Sequence, residues 1–326
     1  MMNFATVGTN WITEAFIQAG RTLEDFQLQA VYSRNLERAQ ALADQYDAPS
    51  AYNDLEQLCR DTNVEALYIA SPTRYHFSIA MAGIQHGKHI ICEKPMCSNA
   101  EEAKRLLAAA SEYGVTIMEA IKNMYFPAWT AVTDHLDEIG KLRRASISYC
   151  QYSSRYDAYR EGTVLNAFKP ELSNGASMDI GIYCLHPALE LLGMPHTVQA
   201  HGYLLETGAD GQAAALLGYP EAQAVISYSK ISSSTQPVEL QGEDGTITID
   251  HINHMHRVTL TKKDETTILW ENSQEDSMVH EIQAFIRLCA GEDVPHISIE
   301  RSIQVLQVLD EIRAQTGVHF PADTEE

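Results

Sequence analysis

The chain changes its hydrophobic rhythm once. Up to about residue 118, short apolar runs alternate with amphipathic stretches of helical period. NFATV (3–7) precedes WITEAFIQAG (11–20), LQAVY (28–32) precedes NLERAQALADQY (35–46), and EALYIA (65–70) precedes RYHFSIAMAGIQHG (74–87). HIIC (89–92) then leads to SNAEEAKRLLAAASEYG (98–114), and VTIM (115–118) closes the series. In the first helical stretch Ile12, Ala15, Phe16 and Ala19 share a face and Gly20 marks the stop. The stretch at 98–114 opens on a Ser98/Glu101 capping box and closes on Gly114. Near-continuous apolar strands alternating with helices predict a parallel sheet covered on both faces. Ligands of such sheets bind beyond the carboxyl ends of the strands. Glu93, Lys94 and Pro95 directly follow the apolar run ending at Cys92, so they fall on that edge. A solvated turn and a lysine held at the rim of a cleft are both open there.

After residue 140 the period shortens to two. LRRASISYCQY (142–152), TVQAHGYLLE (197–206), QAAALLGY (212–219), AQAVISYSKI (222–231), PVELQGEDGTITID (237–250) and HRVTLTKK (256–263) alternate and are joined by short turns. This predicts a mostly antiparallel sheet with one solvated or partner-covered face. One long helical pattern, GASMDIGIYCLHPALELLG (175–193), interrupts it, and helical segments near 276–290 and 299–316 end the chain. The fold class is therefore α/β: a doubly wound parallel sheet over residues 1–120, then an α/β domain with an open, mostly antiparallel sheet over 121–326.

Composition narrows the function. The 44 acidic and 23 basic residues leave a net charge of −21, which argues against nucleic acid as a partner because its binders concentrate positive charge. The cysteines, Cys59, Cys92, Cys97, Cys150, Cys184 and Cys289, form no CxxC pair and read as reduced, mostly buried thiols of a cytoplasmic protein. MMNFATVGTN lacks a basic region followed by an apolar stretch, and no apolar run approaches the ~18 residues of a membrane span. The expectation is a cytoplasmic protein that handles a small molecule, with no nucleic-acid or membrane partner.

The first strand runs into VGTNWIT, where a dinucleotide-binding turn would read G-x-G-x-x-G. Only Gly8 is kept; Asn10 and Thr13 stand in place of the other two glycines. The free N–H groups of a helix N-terminus still favour an anion, which makes Gly8, Thr9, Asn10, Trp11 and Ile12 candidate cofactor-binding residues. An ordinary strand-to-helix turn remains open. The second strand ends on Ser33 and Arg34, with Arg38 one helical turn later, where an NAD site would offer an acidic residue to the ribose. Two guanidinium groups four residues apart suit a 2′-phosphate, so this segment reads as NADP-binding, with NAD possible, or as a solvated first turn.

SPTRYHFSIAMAGIQHGKHIICEKPM, MEAIKNMYFPA and GASMDIGIYCLHPALELLG, in that order, resemble the glucose–fructose oxidoreductase / inositol dehydrogenase (Gfo/Idh/MocA) family over nearly the whole chain. The Asp-x-Gly-x-Tyr segment matches the dihydrodiol-dehydrogenase-like branch, and SRNLERAQ is similar to its NADP-binding segment. The resemblance implies an N-terminal Rossmann domain, and a C-terminal open sheet that often forms homodimers or homotetramers. It also implies hydride transfer between a nicotinamide cofactor and a sugar, polyol or related cyclic alcohol. Lys94 matches the family lysine near the nicotinamide and the substrate hydroxyl, and Pro95 a proline that is frequently cis and would aim that lysine. Asp179 matches a substrate-binding aspartate and Tyr183 the acid/base that is His in the inositol dehydrogenase branch. Ser71, Pro72, Thr73 and His76 match the cofactor-lining S/T-P-x-x-x-H loop, and Glu93 belongs to the same cofactor set. Departures are the lost glycines at 10 and 13, Thr73 in place of Asn, and Asn174 where a second glycine is usual.

Asp179 and Tyr183 are four apart in a helical pattern and so share a face. Carbonyl reduction needs a proton donor at oxygen, and the ordinary pKa values of Tyr and Lys are too high for easy exchange near neutrality; a nearby lysine favours the phenolate, and desolvation lowers the lysine's own value. Tyr183 is therefore read as proton donor and acceptor with Lys94 in electrostatic support; their exchange of roles stays open, and His186 competes as base unless Pro187 turns the chain. Arg155, Tyr156 and Phe168 are candidate pocket walls or ordinary loop packing. His251, His254 and His256 lack a fourth ligand at zinc spacing and read as a solvent-facing cluster, so no metal site is expected. The competing reading of the whole chain is a catalytically silent, cofactor-binding regulator of the same fold.

Overall fold

The computed structural model describes residues 1–272 and 278–324. It divides into two compact units, Met1–Lys122 with Ser277–Ser302, and Asn123–Asp276 with Ile303–Glu326.

The first unit holds β1 (Met2–Val7), β2 (Phe26–Tyr32), β3 (Ser50–Tyr52), β4 (Ala66–Ile69), β5 (His89–Glu93) and β6 (Ile117–Ala120) in the order β3-β2-β1-β4-β5-β6. Every pair is parallel. The strand order reverses between β1 and β4, the switch point where doubly wound sheets bind ligands. The connecting helices are α1 (Trp11–Gly20), α2 (Leu36–Gln45), α3 (Leu55–Arg60), α4 (His76–Gln85) and α5 (Ala100–Tyr113). β3 and α3 have no counterpart in the sequence reading, because three and six residues are too few for a period to register. The cap of α5 is displaced by one residue from the expected Ser98/Glu101 box. Asn99, not Ser98, is the N-cap and accepts from the Glu102 N–H at 2.9 Å, while the Glu102 carboxylate reaches back past it to accept from the Ser98 N–H at 2.9 Å. Gly114 ends the helix in the left-handed conformation, as read.

The register sets two faces. Thr6 pairs with Tyr68, Tyr68 with Ile91, and Ile91 with Met118, so these share one face, and by alternation Phe4 and Glu93 lie on it too. Phe16 of α1 stacks on Tyr68 with ring centroids 3.6 Å apart, placing α1 over this face.

The second unit holds α6 (Pro127–Asp134), β7 (Leu142–Cys150) and α7 (Ser154–Arg160), then a π-helical turn (Ser177–Gly181) running into α8 (Ile182–Leu192). β8 (Thr197–Leu204), β9 (Asp210–Gly218), β10 (Gln223–Ser229), β11 (Val238–Gly242), β12 (Thr246–Ile249), β13 (Arg257–Lys262) and β14 (Glu265–Glu271) follow. The eight-stranded sheet has the order β14-β13-β12-β11-β7-β10-β9-β8. Among the described residues of this sheet only β7 and β10 pair in parallel. Ala145, Ile147 and Tyr149 on β7, Ala224, Ile226 and Tyr228 on β10, and Ala213, Ala215 and Leu217 on β9 are buried on one face. The opposite face leaves Tyr203 and Leu216 exposed. Pro187 does not turn the chain: α8 runs through it, losing the bond that residue 187 would have given to the Tyr183 carbonyl.

The remaining helices are α9 (Val279–Cys289) and α10 (Ile299–Thr316). The expected helix near 276–290 is α9; its first expected residues, 276 and 277, lie outside the described residues. Residues 277–302 group with the first unit, not with 121–326 as the sequence reading had it. The cause is burial: Phe285 and Ile282 are fully buried, and Phe285 lies 5.9 Å from Phe4 of β1. An apolar stripe on a helix states that it needs a partner and not which one.

Candidate active site

In the first unit, Gly8 follows β1 at φ +125°, a conformation open to glycine. A Cβ there would stand 2.9 Å from the Ala70 carbonyl oxygen, so the first motif glycine is a steric requirement. The lost glycines are replaced by a working arrangement. The Asn10 side chain caps α1 by accepting from the Thr13 N–H at 3.2 Å, and its amide donates to the Ala70 carbonyl at 2.9 Å. This ties the turn to the end of β4. Thr9 is half-buried, Trp11 is exposed and Ile12 is half-buried at the mouth of α1.

Arg34 and Arg38 are both exposed beyond β2. Asn35 caps α2 by accepting from the Arg38 N–H at 3.0 Å. The Arg34 guanidinium lies 5.7 Å from the centre of the Tyr75 ring, which holds a cation beside a flat aromatic surface at the strand ends. The Ser33 hydroxyl accepts from the Asn35 N–H at 3.3 Å.

His76 belongs to the S/T-P-x-x-x-H loop expected to line the cofactor. It is buried, with Nε2 at 2.7 Å from the Ser71 carbonyl oxygen and Nδ1 at 2.9 Å from the Pro95 carbonyl oxygen. Burial lowers its pKa while the two carbonyls oppose the shift. The ring therefore ties the Ser71-Pro72-Thr73 loop to the segment after Lys94, and Thr73 is itself buried. Glu119 of β6, which the sequence reading passed over, accepts from the Met96 N–H at 2.9 Å and fixes the same segment from the neighbouring strand. The Lys94–Pro95 peptide is cis. Glu93 accepts at Oε1 from the Tyr68 hydroxyl at 2.7 Å and at Oε2 from the Lys94 N–H at 3.3 Å. Burial raises its pKa, and Lys94 and the Tyr68 bond work against that rise.

In the second unit, Asp179 stands on the π-helical turn and Tyr183 in the first turn of α8. Such turns recur at functional sites. Two contacts hold this one: the Ser177 N–H donates to the buried Asp210 carboxylate at 2.7 Å, and Gly181 lies so close to Tyr228 that a Cβ would meet the ring at 2.9 Å. The glycine of Asp-x-Gly-x-Tyr is thus set by a ring on β10. Asp179 pairs with Lys230, a residue the sequence reading missed. The Lys230 side chain is only 4% exposed, and its Nζ lies 5.4 Å from the centre of the Phe168 ring. Phe168 is buried with Ala167, Leu205 and Ala209, and Tyr156, Tyr159 and Ile231 pack against that cluster. The candidate walls Tyr156 and Phe168 are therefore the floor under this ion pair, whereas Arg155 is exposed. Asn174 replaces the usual glycine by donating to the Asn166 carbonyl at 2.9 Å, in the turn that carries Phe168.

Tyr183 is 8% exposed and meets Tyr149 edge-on at 5.8 Å. Tyr149 in turn meets His251 at 5.0 Å, His251 meets His254 at 5.1 Å, and His254 meets His256 at 5.4 Å. The expected solvent-facing histidine cluster is thus a half-buried stack of rings, formed because Met255 at φ +47° folds the segment on itself. Among the described residues no three or more His, Cys, Asp or Glu side chains are arranged so that they could hold a metal ion. His186 is fully buried.

A family model described as GFO_IDH_MocA, an oxidoreductase family with an NAD-binding Rossmann fold, matches residues 2–121, and the GFO/IDH/MocA C-terminal domain matches residues 135–248. The chain is 44% identical over 329 residues to scyllo-inositol 2-dehydrogenase (NADP(+)) IolU of Bacillus subtilis (strain 168), covering 99% of both. It is 28% identical over 332 residues to trans-1,2-dihydrobenzene-1,2-diol dehydrogenase of Xenopus laevis, covering 96% of this chain and 97% of that one. In fold it is similar to KijD10, a 3-ketoreductase from Actinomadura kijaniata solved with NADP and TDP-benzene, with a TM-score of 0.84 at 22% identity over 97% of this chain and 98% of that one.

Proposed function

Because the chain belongs to the Gfo/Idh/MocA oxidoreductase family, we propose that it transfers hydride between NADP and a sugar, ring polyol or related cyclic alcohol or carbonyl, with inositols the first substrates to try. The observation that carries this reading is the 44% identity, end to end, with an NADP-dependent inositol dehydrogenase. The residues fit the cofactor. Gly8 lets a phosphate approach the backbone at the capped N-terminus of α1, and Arg34 and Arg38 supply the cations for a 2′-phosphate. When bound, the nicotinamide gives or accepts the hydride. Lys94 contributes positive charge beside the reacting groups, Asp179 orients a substrate hydroxyl, and Tyr183 holds the proton that moves to or from the substrate oxygen. The open face of the eight-stranded sheet, with Tyr203 and Leu216 exposed, supports a homodimer or homotetramer built through it. No helix among the described residues is long and apolar enough to cross a membrane, and a cytoplasmic location fits that and the unpaired cysteines. The lost glycines give no ground for a silent regulator, since Asn10 and Thr13 rebuild the turn they would have made.

Nicotinamide absorbance followed with NADP and a panel of inositols, aldoses and dihydrodiols tests the reading. Turnover on a ring polyol or sugar is the expected result, and tight NADPH binding with no turnover on any member of the panel would favour the regulator. Arg34→Ala is expected to weaken NADPH binding by about tenfold to a hundredfold, the worth of one charge-assisted hydrogen bond, and to leave NADH binding nearly unchanged. Equal losses for the two cofactors in a fluorescence titration would remove the 2′-phosphate assignment.

A further inference from the structure

Glu281 lies in the buried stripe of α9, one helical turn before Phe285, the residue that packs against Phe4. Phe4, Thr6, Tyr68 and Glu93 share the sheet face that α9 meets through that contact. Glu281 is 1% exposed, and neither of its carboxyl oxygens has a hydrogen-bond partner among the described residues. The charged and titratable groups acting on it are Glu93 at the end of β5, Tyr68 on β4, and Lys122 just after β6. α1 meets this face through Phe16, and its one charged residue, Glu14, accepts from the Tyr46 hydroxyl just after α2 at 3.2 Å.

Two carboxyls in one apolar layer cannot both be ionised at modest cost. Hydrogen bonding says which one holds the proton. Glu93 accepts at both oxygens, from the Tyr68 hydroxyl and from the Lys94 N–H, as a carboxylate does. Glu281 accepts from nothing described. We propose that Glu281 is a positioning residue for Lys94: it stands beside Glu93 as a neutral carboxylic acid, so that the pair presents one negative charge, on Glu93, to the lysine. Burial and the Glu93 charge both act in that direction on Glu281. When Glu281 does ionise at high pH, its charge adds to that of Glu93 and holds the proton on Lys94 longer than Glu93 alone would.

The unfolded chain releases the Glu281 proton near the ordinary carboxylate value, whereas the folded chain keeps it to higher pH. The contribution to stability is therefore fully present below the unfolded value and is lost as pH rises toward the folded one.

The protonation can be read without turnover. An infrared difference spectrum of the full chain minus E281Q near neutral pH should contain the carbonyl stretch of a protonated carboxylic acid. In E93Q, which removes the neighbouring charge, that band should titrate away at lower pH than in the unmodified chain. Between about pH 5 and about pH 8 the Tm of the unmodified chain should fall further than that of E281Q. The last reading rests on the proposed dehydrogenase activity: with a substrate in hand, the alkaline limb of kcat/KM should move about half a pH unit to the acid side in E281Q, because the second negative charge never forms. A difference spectrum without the band, or an alkaline limb that does not move, overturns the proposal. A band that is present while no substrate turns over keeps the neutral carboxyl and counts against the dehydrogenase reading instead.

Discussion

Tyr183→Phe is expected to lower kcat by about a thousandfold while leaving NADPH affinity within about twofold. The change removes one hydroxyl and keeps the ring that meets Tyr149 edge-on, so the packing of α8 on β7 should survive. The expected magnitude is that of general acid–base catalysis, the part proposed for this phenol. The contrast between kcat and cofactor affinity follows from placement, since every residue proposed to hold NADP lies in the first unit and Tyr183 in the second. Steady-state rates with NADPH titrated by fluorescence give both quantities in one preparation. A loss smaller than tenfold would pass the proton to another group, and the exchange of roles with Lys94 would then be the first to examine.

Lys230→Met is expected to lower kcat/KM by about a hundredfold with almost no change in Tm. The physical reason lies in the asymmetry of a buried ion pair. Lys230 is 4% exposed and Asp179 is 35% exposed, so losing the lysine leaves an aspartate that water can still reach. An unbranched apolar side chain of similar length over Phe168 can then be neutral or even stabilising. The opposite deletion differs: Asp179→Leu strands a buried ammonium and should cost about 3–5 kcal/mol of stability. If the pair only braced the fold, Lys230→Met would leave kcat/KM alone. If it orients a substrate hydroxyl, activity falls while the thermal transition stays where it was. Thermal unfolding and kcat/KM measured on the same variant separate these outcomes.

Much of the architecture is carried by local pattern. The strand–helix alternation up to residue 118 placed α1 at residues 11–20, as found, because an amphipathic stripe ending on glycine is a local property. The alternation after residue 140 marked most strands of the second sheet for the same reason, and missed β14, which is exposed along most of its length and so shows no period. Motif residues were legible as residue types: Gly8, Lys94, Asp179 and Tyr183 could each be numbered before any coordinates.

What surrounds them was not legible. Lys230 falls within the alternating run 222–231 and belongs to no motif; the pairing of β10 with β7 and β9 and the π-helical turn packed on it are what bury its amine against Asp179. Glu281 belongs to no motif in the sequence, and His76 only to the loop that the family resemblance sets along the cofactor. Burial makes the first a proton-holding candidate and the second a clasp between two loops. The sequence by itself determined which segments become strands and helices and which side chains carry usable chemistry, because both follow from interactions within a few residues of each other. The tertiary structure alone decided which helix returns to which sheet and which charges share a dry layer, because desolvation and charge pairing act between groups that the chain separates by tens to hundreds of residues.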